Sequence, residues 1–177
     1  FVGSRGLGDV YKRQRINKVL FFRNRLAVLA GENVVLSRPG SLGEPDFFIE
    51  SALTVSASDP IDISAASMFP SEIFDGIEIN AGLLVFSSNQ QFLLSTDDTV
   101  LNPDTAKLRS VSTYNYNKDV PPISLGTTIS YIDNSGKYSR MNEMANTSRE
   151  GEPDVVEISK LVPSLLPKDI DLSLIHI

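Results

Sequence analysis

The sequence lacks cysteine and tryptophan, and its only histidine is His176. Without cysteine, the chain has no disulfide framework, no thiolate nucleophile and no cysteine-based metal site. No run of residues approaches the roughly 20 consecutive apolar side chains that a membrane-spanning helix requires. Serine is frequent, but no G-x-S-x-G nucleophile elbow occurs. These absences exclude the common thiol and serine nucleophile classes.

Both ends of the sequence resemble translated sequencing adapter. Asp9–Gln14 reverse-translates to GAT GTG TAT AAG AGA CAG, the end sequence that transposase-based library preparation joins to DNA, and Ser4–Gly8 reads as the arm before it. Leu172–Ile177 reads as the reverse complement of the same end sequence. Because the two matches have opposite orientations, we expect residues 1–14 and 172–177 to be artefacts, which are excluded from fold reasoning as a tag would be.

This exclusion removes a glycine pattern that resembles a phosphate loop, most of a basic patch, and the single histidine. The residues are Gly3, Gly6, Gly8, Lys12, Arg13 and His176. The natural segment therefore has no histidine to act as a base or a metal ligand. Because the chain starts with Phe1 and not Met, we expect it to be a fragment or a processed product, with residues 15–171 as its natural part.

The natural segment is strongly acidic. Removing Arg5, Lys12, Arg13 and Asp9 from the totals of 16 basic and 22 acidic residues leaves 13 and 21, a net charge of −8. This balance argues against tight binding to nucleic acids, because such affinity comes from cationic side chains that displace counterions. A segment of this length can bury a core of its own, and one domain is expected.

Short apolar runs separated by turn residues indicate an all-β fold. Three hairpins of similar shape are expected: Leu26–Ala30 with Val34–Leu36, Leu83–Phe86 with Gln91–Leu94, and Thr128–Ile132 with Lys137–Met141. They start about 57 and 45 residues apart, a spacing found in propeller blades and other repeated β units. Further strands are expected at Val19–Phe22, Phe47–Ile49, Ile61–Ile63, Ile77–Ile79 and Lys107–Tyr116.

One segment, Val155–Leu166, is the best candidate for a helix. Its residues Val156, Ile158, Leu161 and Val162 would lie near one helical face, and two prolines limit it to about two turns. The absence of helical patterns between the strands argues against a parallel βαβ sheet.

Several acidic groups could be interpreted as functional sites. Asp97-Asp98 and Asp133–Gly136 could be calcium loops, but the second lacks the downstream bidentate Glu, and Asn and Gly favour a hairpin turn. A glycosidase pair needs two carboxyls about 5 to 10 Å apart across a cleft. The candidates are Glu44/Asp46, Asp59/Asp62 and Glu150/Glu152/Asp154, for all of which we expect solvated turns instead.

Two further patterns also have simple structural interpretations. Asn146-Thr147-Ser148 fits the glycosylation pattern and is expected to be accidental. The phenylalanines are expected to pack in the core or between sheets, and not to form a stacking platform; they are Phe21, Phe22, Phe47, Phe48, Phe86 and Phe92. The sequence therefore predicts no catalytic, cofactor-binding or metal-binding residues.

A series of segments resembles the tail tubular protein B, or tail nozzle, family of short-tailed, podovirus-type phages. The segments are Phe22–Leu26, Gly31–Gly40, Ser58–Ser64, Gly82–Ser95, Leu101–Lys107, Ser124–Arg140 and Arg149–Ile158. They follow a consistent order through nearly all of Arg15–Asp171. The members of that family are several times longer, so the resemblance covers an internal part of such a protein.

The resemblance implies a structural, non-enzymatic protein of the virion, made in the bacterial host cytoplasm. It implies propeller-like β domains in a ring of identical subunits, with six the expected number, that encloses the conduit for genome ejection. The implied partners are the adaptor ring and tail fibres, and DNA would pass without specific binding along an acidic channel wall. Two alternatives stay open: a propeller-type carbohydrate-binding or carbohydrate-cleaving tail domain, which the lack of tryptophan weakens, and an ordinary cellular propeller scaffold.

Overall fold

The computed structural model describes residues 15–40, 45–49, 53–96, 100–145, 153–168 and 170. These residues form twelve β-strands: β1 Ile16–Phe22, β2 Arg25–Ala30, β3 Asn33–Leu36, β4 Ile61–Ser64, β5 Ile73–Ile79, β6 Gly82–Ser87, β7 Gln91–Thr96, β8 Ala106–Ser112, β9 Ile123–Ser124, β10 Thr128–Asp133, β11 Arg140–Ala145 and β12 Asp154–Glu157. Two short 3₁₀ helices follow at Ile158–Leu161 and Pro163–Leu165. In the described ranges, no helix is long and apolar enough to cross a membrane.

The strands form three four-stranded antiparallel sheets, and the fold is all-β as the sequence predicts. Sheet A contains β1 to β4, sheet B contains β5 to β8 and sheet C contains β9 to β12, each in chain order. Within each sheet, every strand pairs with the strands before and after it in the sequence, so each sheet is a meander. Antiparallel neighbours of this kind can be joined by short turns. The three predicted hairpins are the central hairpins of the three sheets, which explains their similar shape and spacing.

Tight turns connect β1 to β2 and β2 to β3 in sheet A. Arg23 and Asn24 both have positive φ, 46° and 61°, as a two-residue hairpin turn of the favoured twist requires. Gly31, at φ 59°, turns β2 into β3. The positive φ of Arg23 is unusual for a long side chain, and the adjacent Asn supplies the residue that tolerates this conformation best.

Sheet B lies between sheets A and C. One face contributes Leu83, Val85, Phe92 and Leu94 to a core shared with sheet A, while Leu84, Phe86 and Leu93 on the other face pack against sheet C. Every residue of β6 is therefore buried. The A–B core also contains Phe22, Leu29, Val34, Leu36 and Ile61, and the B–C core contains Tyr116, Ile129, Tyr131 and Met144.

Two glycines allow the backbones to approach closely in and beside sheet B. A Cβ on Gly82, whose φ is 154°, would lie 2.1 Å from the backbone oxygen of Leu94 on β7. A Cβ on Gly76 would lie 3.2 and 3.3 Å from Leu20 and Leu29 of sheet A. Gly76 therefore sets how closely sheet B packs against sheet A, and Gly82 how closely β6 lies to β7.

Several boundaries predicted from the sequence are wrong. Phe47–Ile49 is irregular instead of a strand, and β11 begins at Arg140, so the predicted Lys137–Met141 strand starts too early. The predicted strand Lys107–Tyr116 ends at Ser112. In place of the predicted helix at Val155–Leu166, the chain continues β12 to Glu157 and then forms the two 3₁₀ helices.

The helix prediction failed because tertiary pairing overrides a weak local pattern. Val155 and Val156 are β-branched, and their backbones pair with Met144 and Glu143 of β11. Pro163 then begins a new turn and prevents the two short 3₁₀ segments from merging into one helix.

Candidate interaction surfaces

A buried arginine holds together three segments at one end of the stack. The guanidinium of Arg25 donates to the backbone oxygens of Ser37, Asp59, Ala57 and Leu101 at 2.8, 2.7, 2.6 and 3.2 Å. The side chain is only 2% exposed, and burial lowers the pKa of its guanidinium, an effect that the nearby Asp59 opposes. Arg25 thus fixes the connections β3–β4 and β7–β8, which belong to different sheets. This role could not be predicted from the sequence, in which Arg23-Asn24-Arg25 has the pattern of one basic break between two apolar runs.

The first turns of all three sheets meet in one cleft at this same end, which we call the turn cleft. The turns are those between β1 and β2, β5 and β6, and β9 and β10, and the cavity volume is about 430 Å³. Its polar lining consists of Arg23, Glu78, Asn80, Ser124, Gly126 and Thr127. Because the strands alternate in direction, the connections between the third and fourth strands also start and finish at this end.

The two acidic turns considered as calcium loops have different outcomes. Asp97-Asp98 lies outside the described residues. Asp133 is buried, and its carboxylate accepts hydrogen bonds from Ser135 N and Oγ at 2.7 and 2.9 Å and pairs with Arg140 at 3.0 Å. Its oxygens therefore stabilise the β10–β11 turn, as the hairpin interpretation predicts. Among the described residues, no group of three or more His, Cys, Asp or Glu side chains could hold a metal ion.

The described carboxylates of the proposed glycosidase pairs do not face each other across a cleft. Asp46 pairs with Arg38 at 3.4 Å and accepts from Phe48 N at 2.9 Å. Asp59 is buried and accepts from Ser56 N at 2.8 Å, whereas Asp62 is exposed on the face of sheet A that points away from sheet B. Asp154 is exposed at the start of β12. Glu44, Glu150, Glu152 and the Asn146–Ser148 pattern lie outside the described residues.

The outer face of sheet A exposes apolar side chains in the part of the chain that the structure describes. Val19 pairs with Val28 and Phe21 with Leu26, so their side chains share the face that points away from sheet B. Phe21 is 63% exposed and Val19 50%. The segment that follows sheet C also exposes apolar side chains, those of Ile158, Leu161, Val162 and Leu165.

The phenylalanine prediction is correct for Phe22, Phe86 and Phe92, which are buried, and wrong for Phe21 and Phe48, which are exposed. The prediction fails for Phe21 because no described residue covers its side chain on the outer face of sheet A, and for Phe48 because its segment is irregular. Phe86 lies 4.9 Å from Tyr116 and 5.3 Å from Tyr131, measured between ring centroids, and so organises the B–C core.

Acidic residues concentrate in the connections between the third and fourth strands. The sequence between β3 and β4, β7 and β8, and β11 and β12 contains nine acidic residues, namely Glu44, Asp46, Glu50, Asp59, Asp97, Asp98, Asp104, Glu150 and Glu152, against Arg38 and Arg149. The connections at the other end contain Glu32, Glu72 and Asp119 against Lys118 and Lys137. The strands that flank the acidic connections all reach the end of the stack that bears the turn cleft.

Three antiparallel four-stranded sheets, stacked face to face through two apolar cores, define a β-rich protein of the scaffold type. The family model described as bacteriophage nozzle protein matches residues 10–173, and the chain belongs to that family. The match overlaps residues 10–14 and 172–173 of the two segments that resemble adapter. Family membership gives the chain a structural role in a phage tail and a location in the virion tail.

A curated relative is similar over most of this chain. It is the tail tubular protein gp12 of Escherichia phage T7, 25% identical over 156 residues, which cover 88% of this chain and 19% of the relative. The chain thus spans about a fifth of the relative's length. The resemblance noted in the sequence is confirmed at the level of the family.

Proposed function

We propose that this chain is part of a subunit of a tail nozzle ring that encloses the conduit for genome ejection. The observation that carries the proposal is the match to the nozzle family over residues 10–173. In this role the protein acts by shape and charge and makes or breaks no bond. About six copies would form the ring, with the adaptor ring and tail fibres as neighbours, and the protein would be made in the host cytoplasm.

The exposed apolar face of sheet A fits this role, because it leaves a surface on which the sheet stack would continue in a propeller-like way in the complete protein. Sheet A buries one apolar face against sheet B, and its second face carries Val19 and Phe21 in solvent. The T7 relative has several times more chain than the matched part, which is enough to supply further sheets. Covering exposed apolar sheet faces and edges is a general requirement of repeated β architectures.

The isolated segment 15–171 should therefore aggregate or unfold partly, because apolar side chains stay exposed on sheet A and in the segment after sheet C. Static light scattering during a thermal scan tests this. A sharp, reversible transition at a monomeric mass would contradict the incomplete-stack interpretation. The boundaries themselves, with residues 1–14 and 172–177 derived from adapter, are tested by sequencing the parent DNA without transposase-based library preparation.

The acidic connections suggest which surface meets the DNA. A wall rich in Asp and Glu repels the phosphate backbone, so a polyanion slides past without forming specific contacts. We place the end with the turn cleft toward the channel for this reason. A density map of the ring with a channel lined mainly by Lys and Arg, or with this end on the outside, would refute the placement.

The first experiment uses the full-length parent protein without adapter residues. Light-scattering mass and negative-stain images should give a ring of about six copies with a central hole. Some tail rings could require a preassembled partner, so a monomer is examined again after addition of the adaptor ring. A protein that stays monomeric under both conditions would contradict the proposal.

The carbohydrate-cleaving alternative has less support. Among the described carboxylates considered for it, Asp46 and Asp59 are engaged in local contacts and Asp62 faces away from sheet B. Retaining and inverting glycosidases both need two carboxyls that face one sugar. Incubation of the full-length protein with surface polysaccharide, followed by reducing-end analysis, should show no cleavage.

A further inference from the structure

We draw no further inference here: the strongest candidate, the exposed apolar side chains of Val19 and Phe21 on the outer face of sheet A, carries nothing because no described residue shows what covers that face.

Discussion

Strands β1 and β6 have similar sequences but different surroundings. Each contains a continuous apolar run, Val19–Phe22 in β1 and Leu83–Phe86 in β6. All six residues of β6 are buried, because sheet B is covered on both faces, whereas Val19 and Phe21 in β1 are exposed. A continuous apolar run predicts a strand that is buried on both sides. The run in β1 therefore reflects the complete protein, in which we expect a partner for this face.

Among the changes that test this difference between β1 and β6, we expect Gly82→Ala at the start of β6 to cause the largest loss of stability. The new Cβ would lie 2.1 Å from the Leu94 oxygen at a φ of 154°, and neither backbone can move without separating β6 from β7. We expect a loss of about 4 kcal/mol or more, seen as loss of soluble, protease-resistant protein. Gly126→Ala is the control, because nothing lies within 4 Å and only the backbone strain at φ 94° remains. Equal expression and protease resistance of the two variants would show that the close approach is not needed.

Truncation of one phenylalanine in each strand compares the two environments directly. Phe86→Ala removes a ring that is 0% exposed between sheets B and C and should cost about 4 kcal/mol in urea unfolding. Phe21→Ala removes a ring that is 63% exposed in this chain. In the complete protein, where we expect this face to be covered, its cost should approach that of Phe86→Ala. A cost below about 1 kcal/mol in the complete protein would mean that the outer face of sheet A has no partner.

Arg25→Met tests the contact between sheets A and B at the end that carries the turn cleft. The substitution leaves four buried carbonyl oxygens without their donor, so we expect a loss of about 3 kcal/mol in urea unfolding. Hydrogen exchange should accelerate first at residues 57–59 and 101. Arg109→Met, on the exposed edge strand β8, should leave the unfolding midpoint unchanged. A similar loss in both variants would mean that the buried hydrogen bonds contribute little.

Alkaline pH should destabilise the B–C interface more than the A–B interface. We expect this effect to be smaller than those of the substitutions above. Burial raises the pKa of Tyr131 well above its ordinary value of 10, and Tyr116 is raised in the same direction by burial and by Asp75. Because the unfolded chain ionises first, the stability that neutral tyrosine provides is complete below pH 10 and is lost as pH rises above it. The A–B core contains no tyrosine, so the B–C interface should open first.

Tyr131→Phe tests this pH dependence. Its hydroxyl has no hydrogen-bond partner in the described residues, so the variant should be as stable as wild type at pH 7 and more stable at pH 11. Tyr138→Phe, in the β10–β11 turn, is the control. Urea unfolding at the two pH values, followed by near-ultraviolet circular dichroism, provides the measurement. Identical pH profiles for Tyr131→Phe and wild type would refute the assignment to Tyr131.

The sequence predicted those elements whose signals are local. The central hairpins of the three sheets follow from apolar runs interrupted by Gly, Asn and Ser, and the turn at Asp133–Gly136 follows from its own side-chain chemistry. Phe47–Ile49 has the composition of a strand but no neighbouring strand to pair with. Val155–Leu166 has helical spacing, yet β11 provides an edge to which its first residues bind as a strand.

The candidate surfaces could not be predicted in this way, because they depend on sheet stacking. Arg23, Glu78 and Thr127 are more than 40 residues apart in sequence and reach one cleft only when the three meanders stack with their first turns at the same end. The sequence around Arg23 and Arg25 does not indicate that Arg23 is exposed in a cleft and Arg25 is buried.

The hydrogen bonds of Arg25 also affect how this protein can evolve. All four acceptors are main-chain oxygens, so the guanidinium fixes the path of the loops without specifying their side chains. Substitutions at the exposed Ala57 keep the acceptor and hence the anchor, whereas the Leu101 side chain is itself held in the A–B core. The exposed positions of these connections can therefore change their composition while the framework below them stays the same.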